Sequence, residues 1–313
     1  MTLKRRLSKR AYCSLFLALL TATLSIGCGP EKYRTPISKF QTASAVVVES
    51  TRVYVSELNK VERDNYILEQ VGNKAKIKLD EIEAAQVFGK EGLQARLDAL
   101  DVLAGYGDLL SKVANSDAPE KVKAQADGLK TSLGSLSATV SGLAGADDTK
   151  FKSALGPVTA IIGEVLDFII QRKITEALDR AILSGEGPIN NMLSVIGSDI
   201  EIAYERKRNA FSNLRVMLVD AYNREWEKGD KADPEKLRTY GERIRAHEDR
   251  WEEFGNANPK EGLAAMAKAH AALVSYARSR KKIVDFGTLV DAMESFAARA
   301  QRLGQAVQAL REI

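Results

Sequence analysis

The sequence predicts an all-α fold, an elongated antiparallel bundle of seven to eight helices, several of them long. Three observations carry this. Apolar residues recur at three- and four-residue spacing through most of the chain, the pattern of one buried helix face. Only 7 prolines occur in 313 residues, and they stand near the ends of the periodic stretches. Aromatics make up 6%, while the strong helix formers Ala, Leu, Glu, Lys and Arg are abundant. No fixed-period repeat emerges, so a bundle is expected rather than a solenoid.

The elements follow in order. Residues 29–36 carry two prolines and mixed charge, and read as a short tether. From 37 to about 71, Phe40, Val47, Tyr54, Val61 and Leu68 recur every seven residues, the seam of a long amphipathic helix. Gly72 and Asn73 suit its end, since both tolerate a left-handed cap. Residues 74–92 are less regular, with one or two helical turns expected where Asp80 precedes Glu83. Leu93, Leu97, Leu100, Ala104 and Gly107 define the next helix, to about Asn115. Asp117, Pro119 and Glu120 form a capping-box start, followed by Val122, Ala126, Leu129, Leu133, Leu136, Val140 and Leu143 at alternating four- and three-residue steps.

Residues 144–149 read as a turn, and 151–183 as the most apolar helix, with Leu155, Val158, Ile162, Val165 and Ile169 on one stripe. Ser184 to Pro188, SGEGP, reads as a tight connection before the longest helix, 188–228. Gly229 ends that helix and Asp233-Pro234 starts the next. A turn centred near Lys231 places Phe211 near Trp251, Leu218 near Ile244, and Tyr222 near Tyr240. Asn258-Pro259 starts a helix with Leu263, Met266, His270, Leu273 and Ala277 on its seam. Residues 285–288 are expected to break or bend the chain before a last helix through Leu289, Met293, Phe296, Ala300, Leu303, Val307 and Leu310. Residues 37–313 read as one helical domain, divisible at 183/184 into two sub-bundles.

The first residues have a different character. Lys4, Arg5, Arg6, Lys9 and Arg10 precede the apolar run 11–26, which ends in Leu24-Ser25-Ile26-Gly27-Cys28. A basic head, a short apolar run and a small residue before a cut make a secretory signal. The run is shorter than the ~20 residues of a spanning helix. Gly27 before Cys28 resembles the lipobox of bacterial lipoproteins, with Ser25 where that family usually has Leu. The resemblance covers residues 1–28 alone. It implies cleavage between Gly27 and Cys28 and a covalent lipid on the Cys28 thiol. By that family's sorting rule, Gly29, not Asp, after the cysteine implies the outer membrane, facing the periplasm or the surface.

The resemblance also accounts for the charge. The whole chain has 46 basic and 42 acidic residues; without the five basic residues of 1–27 it has 41 against 42. A global electrostatic case for nucleic acid therefore fails. Of the two cysteines, Cys13 would leave with the signal and Cys28 would carry lipid, so the body must hold by core burial alone.

Candidate chemistry is sparse. His247 and His270 are the 2 histidines, and neither stands in a zinc or carboxylate-bridged-iron spacing. His270 lies on an apolar seam and reads as a core histidine, with a ligand pocket as the alternative. There is no nucleophile elbow and no phosphate-binding glycine loop. Glu164 and Asp167 are carboxylates one turn apart in the most apolar helix, where burial would raise a pKa; the plainer reading is its polar side. Arg278, Arg280, Lys281 and Lys282 form the densest basic cluster, either complementing a helix end or meeting anionic headgroups, lipopolysaccharide phosphate or an acidic partner. Arg206, Lys207 and Arg208 are a lesser version.

The expectation is a non-enzymatic, lipid-anchored helical protein of the bacterial envelope, without a cofactor beyond its lipid. It would bind an envelope protein or the membrane surface. Two alternatives stand beside it: a pore-forming or membrane-remodelling protein using 151–183, and a small-ligand-binding bundle around His270 and the Glu164/Asp167 pair.

Overall fold

The computed structural model describes residues 31–115, 119–141 and 173–311. These form eight α-helices: α1 (Glu31–Asn73), α2 (Leu79–Ala84), α3 (Lys90–Asn115), α4 (Pro119–Ser141), α5 (Ile174–Trp226), α6 (Pro234–Asn256), α7 (Lys260–Arg278) and α8 (Ile283–Arg311). No strand occurs among the described residues. The chain is a helical bundle, as its periodicity predicts.

The seams expected for α1, α4, α7 and α8 are their buried faces, whereas α3 buries Ala95, Ala99, Val102, Leu103 and Tyr106 and leaves Leu93, Leu97 and Ala104 of its expected seam half-buried. Phe40, Val47 and Tyr54 of α1 are fully enclosed, as are Ala126, Leu136 and Val140 of α4 and Met293 and Phe296 of α8. Each large side chain taken out of water contributes ~1.5–3 kcal/mol before entropy is counted. One continuous apolar cluster runs from Tyr33 to Leu310 and draws on every α-helix but α2. The expected division at 183/184 falls within α5, so a sub-bundle boundary there has no break in the chain.

Contacts give each helix its direction. α3 runs antiparallel to α1, since Arg34 bonds the Ala114 carbonyl at one end and Asn59 bonds Phe88 at the other. α5 runs antiparallel to α3, with Tyr106 beside Gly185 and Arg96 beside Asp199. α7 and then α6 lie along α5 in the reverse direction: Arg278 meets Glu186, Lys260 meets Glu201, and Trp251 meets Phe211. α8 runs parallel to α1, with Lys39 on Glu294 and Val46 against Gly304. At 53 residues, α5 would rise about 80 Å if straight, and it carries the hairpin end of the molecule.

That hairpin follows the expected register. Phe211 and Trp251 meet at 5.0 Å between ring centroids, and Arg215 pairs with Glu248 at 2.7 Å one turn further on. Gly229 takes φ +54° at the turn. Asp233 caps α6 by accepting from the amides of Glu235 and Lys236.

Three boundaries differ from expectation. The tether expected over residues 28–36 is helical from Glu31, with Pro36 inside α1. Tyr33 explains this: it is 1% exposed, packs edge-on against Tyr276 and bonds Asp179, so burial holds a turn that proline disfavours. The connection expected at 184–188 is uninterrupted helix, with Pro188 inside α5. The core packing of Ile182, Ile189, Met192 and Ile196 outweighs the hydrogen bond that proline removes. The break expected at 285–288 lies instead at 279–282, because Asp285 accepts from the Lys282 amide and so starts α8. The turn at 144–149, the 151–172 part of the apolar helix, Cys28 and Leu143 lie outside the described residues.

Candidate functional site

Three features among the described residues bear on function: the elbow between α7 and α8, a polar cleft beside the α6–α7 turn, and an exposed apolar face of α5 at the hairpin end. The elbow is built locally. Tyr276 ends the helical ladder by accepting from both the amide and the hydroxyl of Ser279, at 3.1 and 2.9 Å. The Ser279 hydroxyl then accepts from the Lys281 amide at 2.9 Å. Lys281 takes φ +54°, a left-handed conformation that costs a non-glycine residue ~1–2 kcal/mol. Its ammonium reaches Asp179 of α5 at 2.7 Å, and both side chains are largely shielded. The other Asp179 oxygen accepts from Tyr33. Burial, then that bond, pushes the Tyr33 hydroxyl far above its ordinary pKa, so it stays a neutral donor.

The basic cluster is thereby split. Arg278 forks onto Glu186, and Lys281 is the internal tie to Asp179. Arg280 and Lys282 remain exposed. Immediately after them Ile283 is 88% and Val284 75% exposed. Both lie off the α8 seam that starts at Leu289, so apolar periodicity gives no sign of them.

His270 lies wholly inside, against Phe40 and within 2.9 Å of the Tyr106 hydroxyl through Nε2. Burial pushes its pKa down to about 4, so it is neutral near pH 7. The tautomer with hydrogen on Nε2 suits the site. That N–H donates to Tyr106, whose hydroxyl faces the Ala181 carbonyl at 3.5 Å, and only an acceptor lone pair at Nδ1 lacks a hydrogen bond among the described residues. No metal-holding group of three His, Cys, Asp or Glu occurs among the described residues. His247 is buried as well, with Nε2 2.9 Å from the Phe211 carbonyl, and burial lowers its pKa. Lys207, from the lesser basic run, is fully buried with its ammonium 4.8 Å from the Phe211 ring centre, while Arg208 pairs with Glu205 at the surface.

The cleft is a feature sequence reasoning did not find. It encloses ≈ 450 Å³ between Tyr204 of α5, the α6–α7 turn and Arg302 of α8. Of its lining residues, Lys260 pairs with Glu201, and Arg299 with Glu261 at 3.2 Å. These residues come from helices far apart in sequence, so no local spacing announces them. A third surface lies at the hairpin end, where Val216 (57%), Val219 (36%) and Trp226 (64%) share an outer face of α5.

Gly27, Cys28, Glu164 and Asp167 lie outside the described residues. No described helix is long and apolar enough to cross a membrane. No family model matches the chain, and neither a curated protein nor a solved structure matches it.

Proposed function

We propose that this is a lipid-anchored protein of the bacterial cell envelope that acts by binding and performs no catalysis. The signal over residues 1–27 directs export, Cys28 carries the lipid, and the helical body presents its faces to an envelope protein or the membrane surface. Gly29 favours the outer membrane. Three acyl chains would hold the body firmly, since two already give stable anchoring.

The observation that carries the binding role is the exposed apolar face of α5. Val216, Val219 and Trp226 stand in solvent at the hairpin end, while α1 starts at the other end, within three residues of Cys28. An anchored body would thus hold that face away from its own membrane. Apolar surface at the tip of a rigid helical pair suits contact with another protein.

Labelling of cells with radioactive palmitate tests the anchor: the wild-type chain should incorporate label and Cys28→Ala should not. Label surviving in Cys28→Ala rejects the assignment. In-cell crosslinking from position 216 tests the binding role, with a discrete envelope-protein adduct expected and an uncrosslinked chain counting against it.

A further inference from the structure

The start of α1 and the α7–α8 elbow are fastened to each other. Tyr33 packs edge-on to Tyr276 at 5.1 Å and shares Asp179 with Lys281, the residue that forms the bend. Beyond that tie, Arg280, Lys282, Ile283 and Val284 stand in solvent. Ile283 is the most exposed large apolar side chain among the described residues, at 88%. Folding buries little of either aliphatic side chain. Two cations beside two aliphatic residues at the head of a helix is a composition suited to a bilayer interface: the aliphatic groups enter the acyl boundary and the cations meet anionic headgroups.

The geometry points to this elbow, residues 279–284, as a second membrane contact, seated in the same phospholipid leaflet that holds the lipid on Cys28. The inference rests on the anchored reading above. The course of the chain argues for a bilayer as the occupant. Only Gly29 and Pro30 separate Cys28 from Glu31. From Cys28 to Tyr33 the backbone spans at most about 17 Å, and Tyr33 already touches Tyr276, three residues before the elbow. An anchor at Cys28 therefore brings the leaflet to this end of the bundle. Glu31 and Glu176 lie at the same end, so the attraction is local to the elbow. A lipid alone lets the body swivel about Cys28. A second contact fixes its tilt and directs the hairpin end of α5, about 55 Å further along the helix from Asp179 to Val216, away from the bilayer.

The test uses the full-length protein purified from palmitate-labelled cells and reconstituted in phosphatidylethanolamine/phosphatidylglycerol vesicles. An environment-sensitive fluorophore is placed on Ile283→Cys, and separately on Val216→Cys, with doxyl-labelled lipid as quencher. Quenching at 283 and little at 216 is expected. Arg280→Glu with Lys282→Glu should weaken the seated state by about thirtyfold or more, since each basic residue near an anionic surface favours it about fivefold. Helical content by circular dichroism should be unchanged, as neither side chain is buried. Acylated protein with an unquenched probe at 283, or with equal quenching at 283 and 216, overturns the elbow contact and leaves the anchor standing. Protein without palmitate overturns the anchor, and the elbow contact with it.

Discussion

A Cβ placed on Gly185 would lie 2.8 Å from the hydroxyl oxygen of Tyr106 and 3.0 Å from two of its ring carbons. The glycine lets α5 approach α3 there, and the approach places Tyr106 on His270. The helix thus uses glycine for proximity, at a position that local reasoning assigns to a turn.

Gly185→Ala should therefore destabilise the protein by ~1–3 kcal/mol, the cost of overpacking, despite alanine's better helix propensity. Gly187 sits two residues on in the same helix, and an alanine methyl there would meet nothing within 4 Å, so Gly187→Ala should stabilise by ~0.5–1 kcal/mol. Urea denaturation of both variants checks the contrast. Equal effects of the same sign would mean the helices do not meet at Gly185.

The neutral His270 makes stability depend on acid. Its pKa is about 4 when folded and 6.5 when free, so the unfolded chain binds the proton first as pH falls. The stability this depression provides is complete above pH 6.5 and is lost as pH falls through about 4, a total of ~3 kcal/mol. His270→Leu should remove that component. Unfolding free energies at pH 7 and pH 4 should differ less for the variant than for wild type, and an unchanged difference would place the acid sensitivity elsewhere.

Arg96 and Asp199 pair at 2.5 Å, with each side chain no more than 7% exposed. Arg96 also bonds the Gly92 carbonyl and lies 4.1 Å over the Phe88 ring. Removing one buried partner strands the other's charge, so Asp199→Ala should cost ~3–5 kcal/mol. Arg96→Met with Asp199→Leu should cost much less, because no charge is then left behind. Denaturation of Arg96→Met, Asp199→Leu and the double variant gives the coupling directly. Additive losses would mean that the two charges act independently.

The seams of α1, α4, α7 and α8 and the α5–α6 hairpin register were legible in the sequence. Each rests on a repeat of apolar residues or on a turn with a strong local signal, and helix formation is governed by such local terms. The boundaries that differ are those where tertiary packing overrides a local breaker. Pro36 reads as the end of a tether and Pro188 as the end of a connection, each just before a helix, yet buried Tyr33 and Ile189 carry the helix through both. The basic cluster was visible as charge, but nothing in its spacing shows that Lys281 turns inward to Asp179 while Arg280 and Lys282 stay outside. The cleft at Lys260 and Arg302 had no local signal at all.

The helical class, most of the buried faces, and the export and anchoring motif proposed for residues 1–28 are properties of neighbouring residues and their periodicity, and can be read from the chain without its fold. The parallel course of α1 and α8, the unbroken run of α5, and the fastening of Tyr33 beside the α7–α8 elbow emerge with packing alone. The pairings of α1 with α8 and with the elbow join residues more than two hundred positions apart. They are settled by which buried surfaces and charges fit together rather than by any local pattern.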